Sequence, residues 1–298
     1  MLLSRPVPMV LRAALRAFSV TLGVLCGADA ASADPAMWVV KDADSTVYLL
    51  GTIHLMKPGV KWRSEKLDAA LKSSSEFWLE ADLQNDPAIV QTYVMNFGMD
   101  ARKSLADAVG AANFEKFVKF AEQHKIPTRD LHQMRPWLAT MLLSQTQMAS
   151  VGYDPALGVD QTLQKESIAQ GKTIKPFETA SEQLGYLAGM SDKVAAEMMV
   201  QTLAEVGDGE KVIDALQTAW LAGDVKQLQQ ISTDRMRKDA PEVFDALILR
   251  RNNNWVKQIE MLLKGSGTQF IAVGTGHLIG KDSLPDQLAK LGYKVARY

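Results

Sequence analysis

Residues 271–280 read Ile-Ala-Val-Gly-Thr-Gly-His-Leu-Ile-Gly, and residues 48–55 read Tyr-Leu-Leu-Gly-Thr-Ile-His-Leu. Each is an apolar, buried-strand run that breaks on Gly-Thr, passes one residue and reaches His-Leu. Glycine permits a turn or a close backbone approach there. Two of the chain's 4 histidines share this setting. If the two runs are neighbouring strands of one sheet, both imidazoles leave the same end of it. Loops at that end are where α/β folds build their sites.

A dinucleotide-binding turn is the rival reading of Gly274-Thr275-Gly276. That fingerprint needs its third glycine three positions on, opening a helix under a pyrophosphate. Here the next glycine is Gly280, and too little chain follows it for the rest of a βαβαβ half. Nor does Lys294-Val295-Ala296-Arg297-Tyr298 offer a ribose-binding acid.

Outward from these runs, the strands gather at the two ends of the chain. Trp38–Val40 and Val47–Leu50 form an opening hairpin, and Glu76–Asp82 alternates as a strand that ends in acids. Thr173–Phe177 is a short strand, Phe270–Val273 a buried one, and Tyr293–Arg297 the last. Between them the pattern is helical. Ser104 and Ser283 stand at helix starts, and Gly171 follows a helix over 160–169. The spacing predicts an α/β (α+β) fold: a small mixed sheet built from both chain ends, with a large, mainly helical middle.

Residues 1–33 read as a secretory signal peptide. Arg5, Arg12 and Arg16 precede a short apolar run, and small-x-small cleavage sites follow at Ala28–Ala30 and Ala31–Ala33. The run is too short for a membrane span. Cys26, the only cysteine, lies inside it behind Leu25, where a lipidated cysteine would have a small residue. The expected mature chain, 34–298, is therefore a single domain without thiol chemistry, destined for the periplasm or secreted. Losing three Arg and one Asp changes the formal charge from −1 to −3. No basic run remains, which argues against nucleic acid as partner. No transmembrane segment is expected in the mature chain.

Glu80, at the end of its strand, could ligate a metal, act as a base, or simply be an exposed terminal acid. Glu178 follows the short strand in the same way. Arg250-Arg251-Asn252-Asn253-Asn254 reads as a polar knot between helical stretches. An arginine there could stabilise an oxyanion, or it could be a helix-end Arg beside turn Asn. His124 and His132 fall on solvated faces. Gly-x-Ser-x-Gly, His-Glu-x-x-His and P-loop motifs are absent, which removes support for the enzymes built on them.

Together these residues resemble the TraB/GumN family. The likeness rests on the two Gly-x-x-His turns, Leu79-Glu80-Ala81-Asp82, Arg135-Pro136-Trp137, Gly158-Val159-Asp160, Gly171-Lys172-Thr173-Ile174, Phe177-Glu178-Thr179-Ala180-Ser181-Glu182-Gln183 and Arg251-Asn252. That family is similar in turn to the Tiki proteins, membrane-tethered, metal-dependent peptidases, and to erythromycin-esterase-like proteins. The resemblance implies that both His turns, Glu80 and Arg251 converge on one cleft. It implies an exported hydrolase, a metal-dependent peptidase in which His54, His277 and Glu80 hold Zn, Mn or Co. Arg251 would steady the oxyanion, positioned by Asn252 or Glu178. The alternatives are a metal-free His/Glu esterase-like hydrolase and a non-catalytic haem- or iron-binding protein. The substrate, a peptide or a small molecule, is not named by the sequence.

Overall fold

Strand pairing is what brings the two ends of this chain together. The structure, a computed structural model, describes residues 33–83, 87–207 and 209–298. The expected leader up to residue 32, with Cys26, lies outside the described residues. Six strands form one sheet: β1 (Met37–Lys41), β2 (Ser45–Thr52), β3 (Glu76–Leu79), β4 (Thr173–Pro176), β5 (Gly267–Gly274) and β6 (Val295–Arg297). Their order is β4-β3-β5-β2-β1-β6. The four from β4 to β2 run parallel, and β1 is antiparallel to both of its neighbours.

The expected architecture is the observed one, a mixed sheet from both termini with a mostly helical middle. β2 and β5 are direct neighbours, with Gly51 opposite Val273 and Thr52 opposite Gly274. The second Gly-x-x-His turn therefore leaves the sheet one residue later than the first. β2 and β5 are buried along nearly their whole length, as strands covered on both faces must be. Phe77 and Phe270 stack across β3 and β5 at 6.1 Å, in the core below the turns. Ser64, Ser104 and Ser283 cap helices with their side chains, and Gly171 has a positive φ just beyond a helix.

One expectation is corrected. The polar run at 250–254 is not a knot between helices. It opens the helix Arg250–Leu263, which continues without a break from a π-helical turn at Asp245–Leu249. Three asparagines in five residues lowered the helical signal, since Asn is a weak helix former. Tertiary partners override it: Arg251 and Asn252 are both buried and hydrogen-bonded.

Candidate active site

Because β2, β3, β4 and β5 are parallel, their C-terminal ends lie on one side of the sheet. His54, Glu80, Glu178 and His277 each follow one of these ends. The expectation that both histidines leave the same end of the sheet holds, but their environments differ. The His54 side chain is 58% exposed and that of His277 only 4%.

Small residues let the turns close on each other. A Cβ on Gly51 would stand 2.9 Å from Thr275 Oγ1, and one on Gly274 would stand 3.0 Å from Glu80 Oε1 and 3.2 Å from His54 Nε2. The Gly51 carbonyl accepts a hydrogen bond from Trp220 Nε1 at 2.7 Å, and the Thr275 hydroxyl donates to the Thr52 carbonyl at 2.9 Å. On the other flank, Val159 N–H donates to the Ile53 carbonyl at 2.9 Å.

Arg251 is the hub beneath the turns. Its Nε donates to Glu178 Oε1 at 3.0 Å, and its Nη2 donates to Glu178 Oε1 at 2.6 Å and to Glu80 Oε2. Its Nη1 donates to the Leu247 carbonyl and to His277 Nε2, both at 3.1 Å. A guanidinium has five N–H donors, and these partners use all of them. The expected oxyanion role for Arg251 is therefore corrected: no N–H is left to offer. Glu178 ion-pairs with it. Asn252 does not. Its Oδ1 lies 2.7 Å from His277 Nδ1, and its Nδ2 donates to the Asp282 carbonyl at 3.0 Å. Trp255 packs on the His277 ring at 4.4 Å.

These contacts set the charges. Burial works against ionised Glu80, but the Arg251 guanidinium leads the interactions that hold its carboxyl well below the usual carboxylate range. Glu80 Oε1 also accepts the Gly274 N–H at 2.7 Å, and Oε2 accepts from Gln183 at 3.1 Å. His277 is pushed down to about 3 by burial and by Arg251, so it stays neutral. Burial raises Glu178 despite Arg251. Desolvation pulls His54 down, but Asp160 and then Glu80 outweigh it and carry the ring up to about 9. With the His54 side chain 58% exposed, water screens both carboxylates.

Does this set suit a metal? Glu80 Oε1 lies 3.9 Å from His54 Nε2 and 3.8 Å from His277 Nε2. Ligands around a tetrahedral zinc stand about 3.4 Å apart. The His277 lone pair faces Arg251, and both Glu80 oxygens accept hydrogen bonds. Among the described residues, no group of three His, Cys, Asp or Glu side chains is disposed to hold a metal ion. As arranged, the three do not fit one.

Sequence reasoning missed Asp160, whose Oδ1 lies 3.2 Å from His54 Nδ1, and Gln183. Both stand inside stretches that carried the family resemblance, yet neither is a strand-end acid or a turn histidine. His132 is exposed, as the solvated-face reading expects; His124 is half-buried, its ring packed on Phe120 and its Nδ1 bonded to the Phe120 carbonyl of its own helix. Two surface hollows, of about 420 and 470 Å³, open beside Tyr93 and Ser181 and beside Tyr186 and Arg250. Neither is lined by His54, Glu80 or His277.

Comparison with known proteins gives a profile match to the TraB/PrgY/gumN family over residues 36–297. An uncharacterized protein of Escherichia coli, YbaP, is 22% identical over 254 residues, covering 85% of this chain and 92% of its own length. An uncharacterized protein of Treponema pallidum is 20% identical over 268 residues, covering 85% of this chain and 80% of its own. No solved structure matches. Among the described residues, no helix is long and apolar enough to cross a membrane.

Proposed function

The chain belongs to the TraB/PrgY/gumN family, and from that premise we propose that it is a hydrolase of amide or ester bonds in which His54 activates water. One observation carries this reading. Of the titratable side chains gathered at the ends of β2 to β5, His54 alone is largely open to solvent, with Nε2 3.9 Å from a buried carboxylate. Glu80, Glu178, Arg251 and His277 are buried and hydrogen-bonded to one another.

In the proposed step, which runs at alkaline pH where His54 is neutral, a water proton passes to His54 Nε2 as the oxygen bonds to the acyl carbon. The Glu80 anion stabilises the charge the ring gains. The C–N or C–O bond then breaks, and the leaving nitrogen or oxygen takes the proton from Nε2. The exposed face of His54 suits an extended substrate such as a peptide. The Arg-rich, apolar N-terminal segment supports action outside the cytoplasm, which cell fractionation tests directly.

A second reading keeps a divalent ion on His54, Glu80 and His277. It is favoured by the convergence of both Nε2 atoms on the one oxygen Glu80 Oε1, and requires the three side chains to close in from 3.9 and 3.8 Å and Arg251 to release His277. Such an ion would supply an acidified water. The test is a digest of peptide and ester libraries by wild type and His54→Ala, with metal analysis and chelation. Cleavage by metal-free wild type, reduced on the order of 100-fold or more in the variant, is expected. Loss on chelation, with recovery on adding Zn, Mn or Co, would establish the second reading. No cleavage by wild type in any arm would remove both.

A further inference from the structure

We infer that Asp160 is the positioning residue of His54, holding the proton on Nδ1 so that the Nε2 lone pair faces Glu80. The placement is built in by the main chain. Gly158 packs so closely on the His54 turn that a Cβ there would stand 2.4 Å from the His54 carbonyl oxygen. The following Val159 N–H is bonded to the Ile53 carbonyl, so the helix Val159–Ala169 starts against the turn it serves. Asp160 is its second residue, with Oδ1 3.2 Å from His54 Nδ1. That oxygen is buried and has no aligned hydrogen-bond partner among the described residues. A buried acceptor is costly without a donor, and an Nδ1–H on His54 supplies one within reach.

The other turn shows the same device. The Asn252 amide is oriented by its bond to the Asp282 carbonyl, so Oδ1 is the atom that faces His277 Nδ1 at 2.7 Å. His277 therefore carries its proton on Nδ1 and accepts from Arg251 on Nε2. Each ring of the twin turns is thus backed on Nδ1 by a side-chain oxygen from a helix, with Nε2 within 4 Å of the same Glu80 oxygen. The backing groups differ. A neutral amide stands behind the buried ring, and a carboxylate stands behind the exposed one. Only the carboxylate can stabilise a positive charge arising on its ring. This divides the labour: His277 supports, His54 acts. A first-turn acid also favours its helix through the dipole, but that role would not fix a tautomer.

The catalytic consequence rests on the hydrolase reading, whereas the tautomer does not. The experiment is ¹⁵N NMR of labelled full-length protein, read at a pH where His54 is neutral, for wild type, Asp160→Ala and Asp160→Leu. Leu, branched at Cγ like Asp though larger, covers the case in which Ala fails to fold. The expected spectrum shows His54 as the Nδ1–H tautomer in wild type, lost in whichever variant folds. An Nε2–H tautomer in wild type, or an unchanged one in the variants, would overturn the inference. In the cleavage assay, kcat is expected to fall about 10- to 100-fold with KM held, in line with other residues that orient a working histidine. An unchanged kcat would overturn the positioning role. Absence of cleavage in wild type would sink the hydrolase reading and leave the NMR result to decide the role of Asp160.

Discussion

Arg251 and Lys would carry the same charge at this position, but only a guanidinium can hold Glu178, Glu80, His277 and the Leu247 carbonyl at once. An ammonium has three donors, so Arg251→Lys leaves buried acceptors unmatched. Removing a partner from a buried ionic cluster typically costs about 3–5 kcal/mol. A loss of that order is expected in urea or guanidinium unfolding of Arg251→Lys. A change within about 0.5 kcal/mol would show that the hub is not structural. The same saturation explains why the oxyanion role expected of this residue fails: the type of side chain was legible, and its occupancy was not. Occupancy depends on Glu80 and Glu178, which come from strands far away in sequence.

At the scale of elements, the strands and the twin turns were legible because period-two and buried apolar runs survive burial on both faces. The repeated Gly-Thr-x-His spacing raised the pairing of β2 with β5 only as a condition, which the sheet meets. Two placements were not legible. The polar run 250–254 carries weak helix formers, and only burial against His277 and Glu178 makes it helical. Asp160 reads as an ordinary first-turn acid until the helix start is seen bonded to Ile53. The turns also make a prediction of their own. Gly274 has an ordinary negative φ of −50°, so its role is space, not conformation. In Gly274→Ala the new methyl group meets Glu80 Oε1 and His54 Nε2. Overpacking of this kind costs about 1–3 kcal/mol. The cleavage rate is expected to fall by more than that stability loss explains. Full activity in a stable Gly274→Ala protein would show that the turns need not close as described.

For the whole molecule, the shifted groups set a window of stability. Between about 6.5 and about 3 the unfolded chain holds a proton on His277 that the folded chain does not, so stability falls as pH falls through that range. Glu80 adds to this below 4.5, its ordinary value, because its folded carboxyl is held lower. His54 acts in the opposite sense. Its contribution is fully present below 6.5 and is lost as pH rises through about 9. Unfolding free energies measured across this range should form a dome, and His277→Gln should flatten the decline between 6.5 and 4.5. A variant whose acid limb matches wild type would contradict the burial of a neutral His277.

The most direct test of the central claim is the cleavage rate of Glu80→Gln beside wild type, on a peptide selected by library digestion. Gln keeps an oxygen to accept the Gly274 N–H and removes the charge that faces His54, but its amide nitrogen replaces the oxygen that accepts from Arg251 and Gln183, so each rate is read beside an unfolding curve. The expected result is a fall in kcat of about 100-fold or more in a protein that still folds cooperatively. Equal rates in the two proteins, or no cleavage by wild type, would contradict it.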